Sequence, residues 1–385
     1  MGEAIWIVAG EESGDAYGAR LARELVRQRP GLVLRGMGGR AMAATGVEIL
    51  VDSSELGVVG FIEVFRHLGT ILRALAVLVE QAERERPAAV VLIDYPGFNL
   101  RLARRLHGLG IPVVYYVSPQ VWAWKRGRRH QMAAWCRRLL CIFPFEPPHF
   151  ADTGLEVRFV GHPLLEILAE AREAAAVRDP DLVLLLPGSR RGELERLLPR
   201  LLQSAAALRR RQPRLRFVIP LPRPALVEVA RRCLHEADPE LAAAVSIDVG
   251  RTRHWMQVAV AGLATSGTVT MEAAILGLPL VSVYRVSWLT YGLGRLLIHG
   301  IRFFTIVNLV ADREVFEEFL QGEVRVGRLV PALEAILPGG ARREAVLQGM
   351  ADAVAALGPA GAVSAEAARW VLDASVGAGR NAKRR

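Results

Sequence analysis

Cysteine is scarce, with three residues in 385: Cys136, Cys141 and Cys233, each set in an apolar pattern. There is no CxxC pair and no Cys/His cluster, so neither a disulfide framework nor a zinc site is expected, and a reducing cytosolic compartment is. Lysine is scarcer still. Only Lys125 and Lys383 occur, so nearly all of the 49 basic residues are arginine. Arginine suits two-pronged contact with phosphate, and the formal net charge of +10 favours an anionic partner: nucleic acid, acidic lipid or a phosphorylated substrate. Uncharged apolar runs of membrane-spanning quality are also wanting. Residues 106–124 carry Pro112, Pro119 and Gln120, and residues 254–271 carry His254, Gln257, Ser266 and three threonines. Neither reads as a spanning helix. An apolar strand begins at residue 4, which leaves no room for a signal peptide, and a soluble protein is expected.

What is present is a 52% apolar chain in which strand patterns alternate with helix patterns throughout. That is the signature of doubly wound α/β domains. The expected organisation is a first domain over residues 1–169, an Ala-, Glu- and Arg-rich link, and a second domain over residues 180–340. C-terminal helices over 341–376 and a disordered basic tail over 377–385 complete it. The most informative stretch is AAVVLIDYPGFN, residues 88–99. Its apolar run reads as a parallel strand buried on both faces. Asp94 follows at the carboxyl end, where open α/β sheets bind ligands, and Pro96-Gly97 turn the chain into a helix. Asp94 is therefore either a functional carboxylate or the cap of that helix.

Other strand ends carry chemistry too. The first strand, residues 4–9, ends in GEESGD, where Gly10 and Gly14 bracket a turn that sets Glu11, Glu12, Ser13 and Asp15 at a helix start. Three carboxylates there disfavour a phosphate and favour sugar hydroxyls, while capping by Ser13 or Asp15 is the plainer reading. A loop over 36–41, GMGGRA, matches a dinucleotide fingerprint only formally, because it follows the second strand and no long crossover helix succeeds it. Residues 56–64, LGVVGFIEV, are compatible with an acyl-chain wall or with ordinary core. In SPQVWAWKRGRRH, Trp122 and Trp124 adjoin Lys125, Arg126, Arg128 and Arg129. This suits a membrane interface, single-stranded nucleic acid, or two core indoles beside a solvated helix. The DxD at Asp179-Pro180-Asp181 precedes its strand and so faces the wrong sheet edge for a metal-bound nucleotide.

The second domain offers two turns ready for phosphate. After the strand over 182–186 comes PGSRRGE, where Gly188 allows close backbone approach, Ser189 can cap, and Arg190 adds a guanidinium at a helix start. No GKS or GKT follows, so this is not a Walker loop. After the strand over 259–264, Ser266, Gly267 and Thr268 open another helix, with Glu272 one turn on, placed for a ribose. Asn308 falls in an expected loop.

Taken together and in order, GEESGD, GMGG, LGVVGFIEV, IDYPGFN, SPQVWAWKRGR, PFE, VGHPL, LPGSRRGE, SGTVTMEA and the Asn308 to Gln321 region resemble the lipid-A-disaccharide synthases. The resemblance runs from Gly10 to Gln321. It departs at Val307, where the family usually has Pro, and at Glu317, ahead of Leu320-Gln321. It implies a GT-B fold, two Rossmann-like domains facing across a cleft. The implied reaction is inverting transfer from UDP-2,3-diacylglucosamine to 2,3-diacylglucosamine 1-phosphate, making a β-1,6 linkage without a metal or cofactor. Asp94, Arg190 and Asn308 would be catalytic. Gly188, Ser189, Arg190, Ser266, Gly267, Thr268, Glu272 and Gln321 would hold the donor, and Glu11, Ser13, Gly14 and Asp15 the acceptor. The segment from Trp122 to Arg129 would dock on the inner face of the cytoplasmic membrane. A homodimer is compatible with the resemblance, and no nucleic-acid partner is expected. The runner-up is a UDP-N-acetylglucosamine 2-epimerase-like enzyme, which shares the fold but needs no tryptophan–arginine membrane patch.

Overall fold

The computed structural model describes residues 3–53, 68–123, 125–286, 292, 302–359 and 361–381. The chain forms two compact units, Met1–Pro163 with Gly358–Arg385, and Leu164–Leu357.

The first unit holds β1 (Ala4–Ala9), β2 (Val33–Gly38), β3 (Glu48–Asp52), β4 (Ala89–Ile93), β5 (Val113–Tyr116), β6 (Arg138–Cys141) and β7 (Glu156–Phe159). They form one parallel sheet in the order β3-β2-β1-β4-β5-β6-β7. Every residue of β4, AVVLI, is buried. Both faces of a central parallel strand are covered by helices, so it is apolar without alternation. Trp6, Val8, Val90, Leu92 and Tyr115 from the strands pack with Leu78, Leu102 and Leu106 from the helices Leu68–Glu85 and Pro96–Gly108.

The second unit repeats the plan with β8 (Asp179–Leu186), β9 (Arg216–Leu221), β10 (Val245–Val249), β11 (Ala259–Thr265), β12 (Leu280–Tyr284) and β13 (Glu318–Leu320). Their order is β10-β9-β8-β11-β12-β13, again all parallel. Both units are thus Rossmann-like, as the alternation of patterns implies.

The structure corrects several boundaries. The units divide after Pro163, so the helix Leu164–Glu170 belongs to the second unit rather than to a domain ending at residue 169. The C-terminal helix Val363–Asn381 belongs to the first unit and extends into the expected tail as far as Asn381. Arg138 holds it there, donating to the Trp370 carbonyl at 2.8 Å with its guanidinium 4.7 Å from the Trp370 ring centroid. Such docking depends on residues 232 apart in sequence, which local composition does not record. β2 runs on to Gly38, so the expected GMGGRA loop starts as strand. Asn308 lies in the helix Ile306–Ala311, not in a loop. Residues 56–64 and Trp124 lie outside the described residues.

Candidate active site

Each sheet has a topological switch point, the place where strand order reverses and where open α/β sheets bind ligands. In the first unit it lies between β1 and β4, paired in register as far as Ala9 opposite Ile93. The next residues include Gly10 and Glu11 on one side and Asp94 on the other. Asp94 is half-buried, and its carboxyl is pushed up to about 6, chiefly by burial and then by the negative charge of Glu11, while a hydrogen bond from the Tyr95 N–H opposes the shift. A carboxylate poised near neutrality suits a general base. The helix Pro96–Gly108 takes Tyr95 as its N-cap with no side-chain capping bond, so Asp94 is not its cap.

Around this pair the sheet edge is acidic and aromatic. Glu146, after β6, is 2% exposed and accepts from the N–H groups of Ile142 (3.2 Å) and Phe143 (3.0 Å). Burial pushes its carboxyl up to about 8, and the Asp94 charge adds to the shift. His162, after β7, is buried and driven down to about 3, so its imidazole is neutral. The Phe143 ring stacks on Phe145 (centroids 5.4 Å, 7° between planes), and Trp122 meets Phe145 edge-on at 5.4 Å.

The second unit's switch point lies between β8 and β11, paired up to Leu186 opposite Ala264. Beyond β8, Gly188 has φ +116°, and a Cβ there would lie 2.5 Å from the Glu193 Oε2, so this turn requires glycine. Arg190 is the N-cap residue of the helix Arg191–Arg211; its side chain is 60% exposed and lies 3.1 Å from Glu193. Arg223 donates to the Ser189 carbonyl at 3.0 Å. Beyond β11, Gly267 precedes the helix Thr268–Ile275. The Ser266 hydroxyl donates to the Phe304 carbonyl at 3.0 Å, and Arg253 donates to Glu272 at 3.1 Å. Two helix N-termini, each entered through a glycine turn and one carrying the Arg190 guanidinium, form an anion-ready edge.

Residues 5–359 match the family model described as lipid-A-disaccharide synthetase. The chain is 40% identical to the lipid-A-disaccharide synthase of Myxococcus xanthus over 96% of its own length and 97% of that protein. The chain belongs to the lipid-A-disaccharide synthetase family. That makes it a glycosyltransferase of lipid A disaccharide synthesis. Among solved structures, UDP-GlcNAc 2-epimerase from Neisseria meningitidis, bound to UDP-GlcNAc, aligns with a TM-score of 0.66 at 13% identity, covering 96% of this chain and 100% of that one. The glycotransferase of kitacinnamycin aligns with a TM-score of 0.64 at 16% identity, covering 97% and 99%. At such identities the likeness is one of fold, GT-B, and the epimerase reading drops out on sequence.

For this family member the structure rearranges several expected roles. Asp15 is 7% exposed and turned inward: Oδ1 accepts from the Gly39 and Met42 N–H groups (2.7 and 3.1 Å), Oδ2 from Ala41 (2.9 Å). It ties down the GMGG turn and does not cap its own helix. Glu11 is the N-cap residue of the helix Glu12–Gln28, without a side-chain capping bond, and Glu11 and Ser13 are exposed. Gly14 is buried against Ala9 and Ile93. Asn308 is fully buried. Its Nδ2 donates to the Phe316 carbonyl and Glu318 (both 2.8 Å), and its Oδ1 accepts from Val315 and Phe316 (2.8 and 2.9 Å). Gln321, at φ +50°, exchanges two hydrogen bonds with the Val286 backbone, at 2.9 and 3.2 Å. Both amides brace the chain leading into and out of β13. In the tryptophan–arginine segment, Trp122 is half-buried in the aromatic cluster, and Arg129 pairs with Asp152 at 2.9 Å. Lys125 and Arg126 are exposed, and Arg128 is half-buried. Glu146 and His162 sit in motifs that carry the resemblance, yet nothing in their local sequence marks them as buried ionisable groups.

Proposed function

We propose that the chain transfers 2,3-diacylglucosamine from UDP-2,3-diacylglucosamine to the 6-hydroxyl of 2,3-diacylglucosamine 1-phosphate, with inversion and without a metal. Asp94 accepts the hydroxyl proton while the acceptor oxygen bonds to the anomeric carbon. The bond from that carbon to the diphosphate oxygen breaks, and UDP leaves with the electron pair. Glu11 and Ser13, exposed beside Asp94, bind acceptor hydroxyls, and Gly14 lets their helix pack close to β1 and β4. Arg190 and the helix starts at Ser189 and at Ser266 to Thr268 meet the diphosphate, with Gly188 and Gly267 shaping the turns and Glu272 available to the ribose. Asn308 and Gln321 act by bracing the chain on either side of β13. The observation that carries the reading is Asp94 at the first switch point with its carboxyl near 6.

Acylated substrates reside in lipid, and no helix among the described residues is long and apolar enough to cross a membrane. Peripheral binding at the inner face of the cytoplasmic membrane, through Lys125, Arg126 and their arginine neighbours, reconciles the two; each such cation contributes on the order of 1 kcal/mol at an anionic surface. The deciding experiment measures UDP release from the diacylated donor on phosphatidylglycerol vesicles, with and without the 1-phosphate acceptor and with EDTA present. Release should require the acceptor and survive EDTA. Acceptor-independent release, or turnover of unacylated UDP-N-acetylglucosamine at the same rate, would overturn the proposal.

A further inference from the structure

Asp94 and Tyr95 are consecutive non-glycine residues in the left-handed region, at φ +46° and +45°. L side chains enter that region at a cost, and two in succession persist only where surrounding contacts over-determine them. Those contacts are present. The Asp94 carbonyl accepts from the Asn99 Nδ2 at 2.7 Å and from the Tyr115 hydroxyl at 2.6 Å. The same Nδ2 donates to the Ile93 carbonyl at 3.0 Å, and the Asp94 N–H donates to the Tyr116 carbonyl at 2.9 Å. From the other side of the switch point, Gly10 leaves room for the Tyr95 ring, whose Cδ1 lies 2.3 Å from where a Cβ on Gly10 would stand.

Asn99 and Tyr115 are both fully buried. The Asn99 Oδ1 has no hydrogen-bond partner, so the site carries a buried unpaired acceptor. A leucine, branched at the same atom, would carry no such penalty, so an amide here is explained by its two donor contacts. We infer that Asn99 and Tyr115 are positioning residues that clamp the Asp94 carbonyl, hold the left-handed turn, and thereby set where the Asp94 carboxylate stands. The inference rests on Asp94 being the general base.

The test compares Asn99→Leu and Tyr115→Phe in the wild-type and in the Asp94→Asn background. A base displaced by ~1 Å costs about 10²-fold, so Asn99→Leu should lower kcat by that order. Tyr115→Phe, which keeps one of the two donors, should lower it by roughly tenfold. KM for the donor should stay unchanged, and the acid limb of the pH–rate profile should move in both variants. In the Asp94→Asn background both substitutions should have almost no further effect, because neighbours acting through one group are not additive. Undiminished kcat and an unmoved acid limb in Tyr115→Phe, or full multiplicative losses on top of Asp94→Asn, would overturn the clamp. Should Asn99→Leu fail to fold, Tyr115→Phe still decides, since it removes a single oxygen. If Asp94→Asn alone keeps wild-type turnover, the base assignment fails instead, and the two outcomes are distinct.

Discussion

The two units share a plan and differ in the chemistry of one edge. Both are parallel sheets with a switch point between the strands that open each half, β1 and β4 in one, β8 and β11 in the other. At the first edge stand Glu11, Asp94 and Glu146, two of them with carboxyls raised by burial. At the second stand Arg190, Arg223 and two helix starts. The fold supplies a place where backbone ends converge, and side-chain charge decides what the place is for. A glycosyl transfer needs a proton acceptor at one substrate and stabilisation of a leaving diphosphate at the other. Under the proposed reaction, the acidic edge of one unit answers the first need and the basic edge of the other the second.

The sharpest way to break this contrast is Asp94→Asn, which should cut turnover by about 10²–10⁴-fold while UDP affinity, measured by calorimetry, stays as in wild type. Its stability gives a second reading. Asp94 titrates at about 6 in the fold against an ordinary 3.8, so folding disfavours its ionised form. That penalty is absent below pH 3.8 and fully present above pH 6. Asp94→Asn should therefore unfold at a higher temperature than wild type at pH 8 and lose the advantage at pH 4. A variant that is inactive and also less stable at pH 8 would speak for a structural Asp94.

Next in size is the opposite edge. A hydrogen bond to a charged group contributes about 1.5–3 kcal/mol, so Arg190→Ala should weaken UDP binding at least tenfold and leave the acid limb in place. If the limb moves, the division of labour between the units is wrong.

The smallest effect is the most specific. Glu11 holds the Asp94 carboxyl up by its negative charge, though less than burial does. In Glu11→Gln the acid limb of kcat/KM, which rises with pH as Asp94 ionises, should shift to lower pH, with less than a tenfold change in the plateau. An unshifted limb would mean that the group titrating in the profile is not Asp94.

The central strands were legible because burial on both faces leaves uninterrupted apolar runs such as AIWIVA and AVVLI. The edge strands β3, β7 and β13 were not. EILVD, EVRF and EFL are short and interrupted by charged residues, and nothing local separates them from loop. The site divides the same way. Asp94, Arg190 and the glycine turns follow directly on apolar runs, so strand pattern and position pointed to them. Asp15 read as a sugar contact from its place at a helix start, and Asn308 and Gln321 took their roles from the resemblance; in the structure their partners come from 24, 8 and 35 residues away and are backbone groups, except for the Glu318 carboxylate on Asn308. Trp122 likewise read as interfacial, and its edge-on contact with Phe145 joins residues in separate loops.

By itself, then, the sequence determined the alternation of strands and helices, the family, and which residue follows each buried strand, because those are properties of adjacent residues and of their period. Only the tertiary structure decided which polar side chains stay exposed at the strand ends and which are consumed by the fold. It also decided that the last helix returns to the first unit, and that Asn99 and Tyr115 meet on the Asp94 carbonyl. Burial and hydrogen-bond partners are set by groups remote in the chain, and a pKa or an aimed carboxylate exists only once those groups have converged.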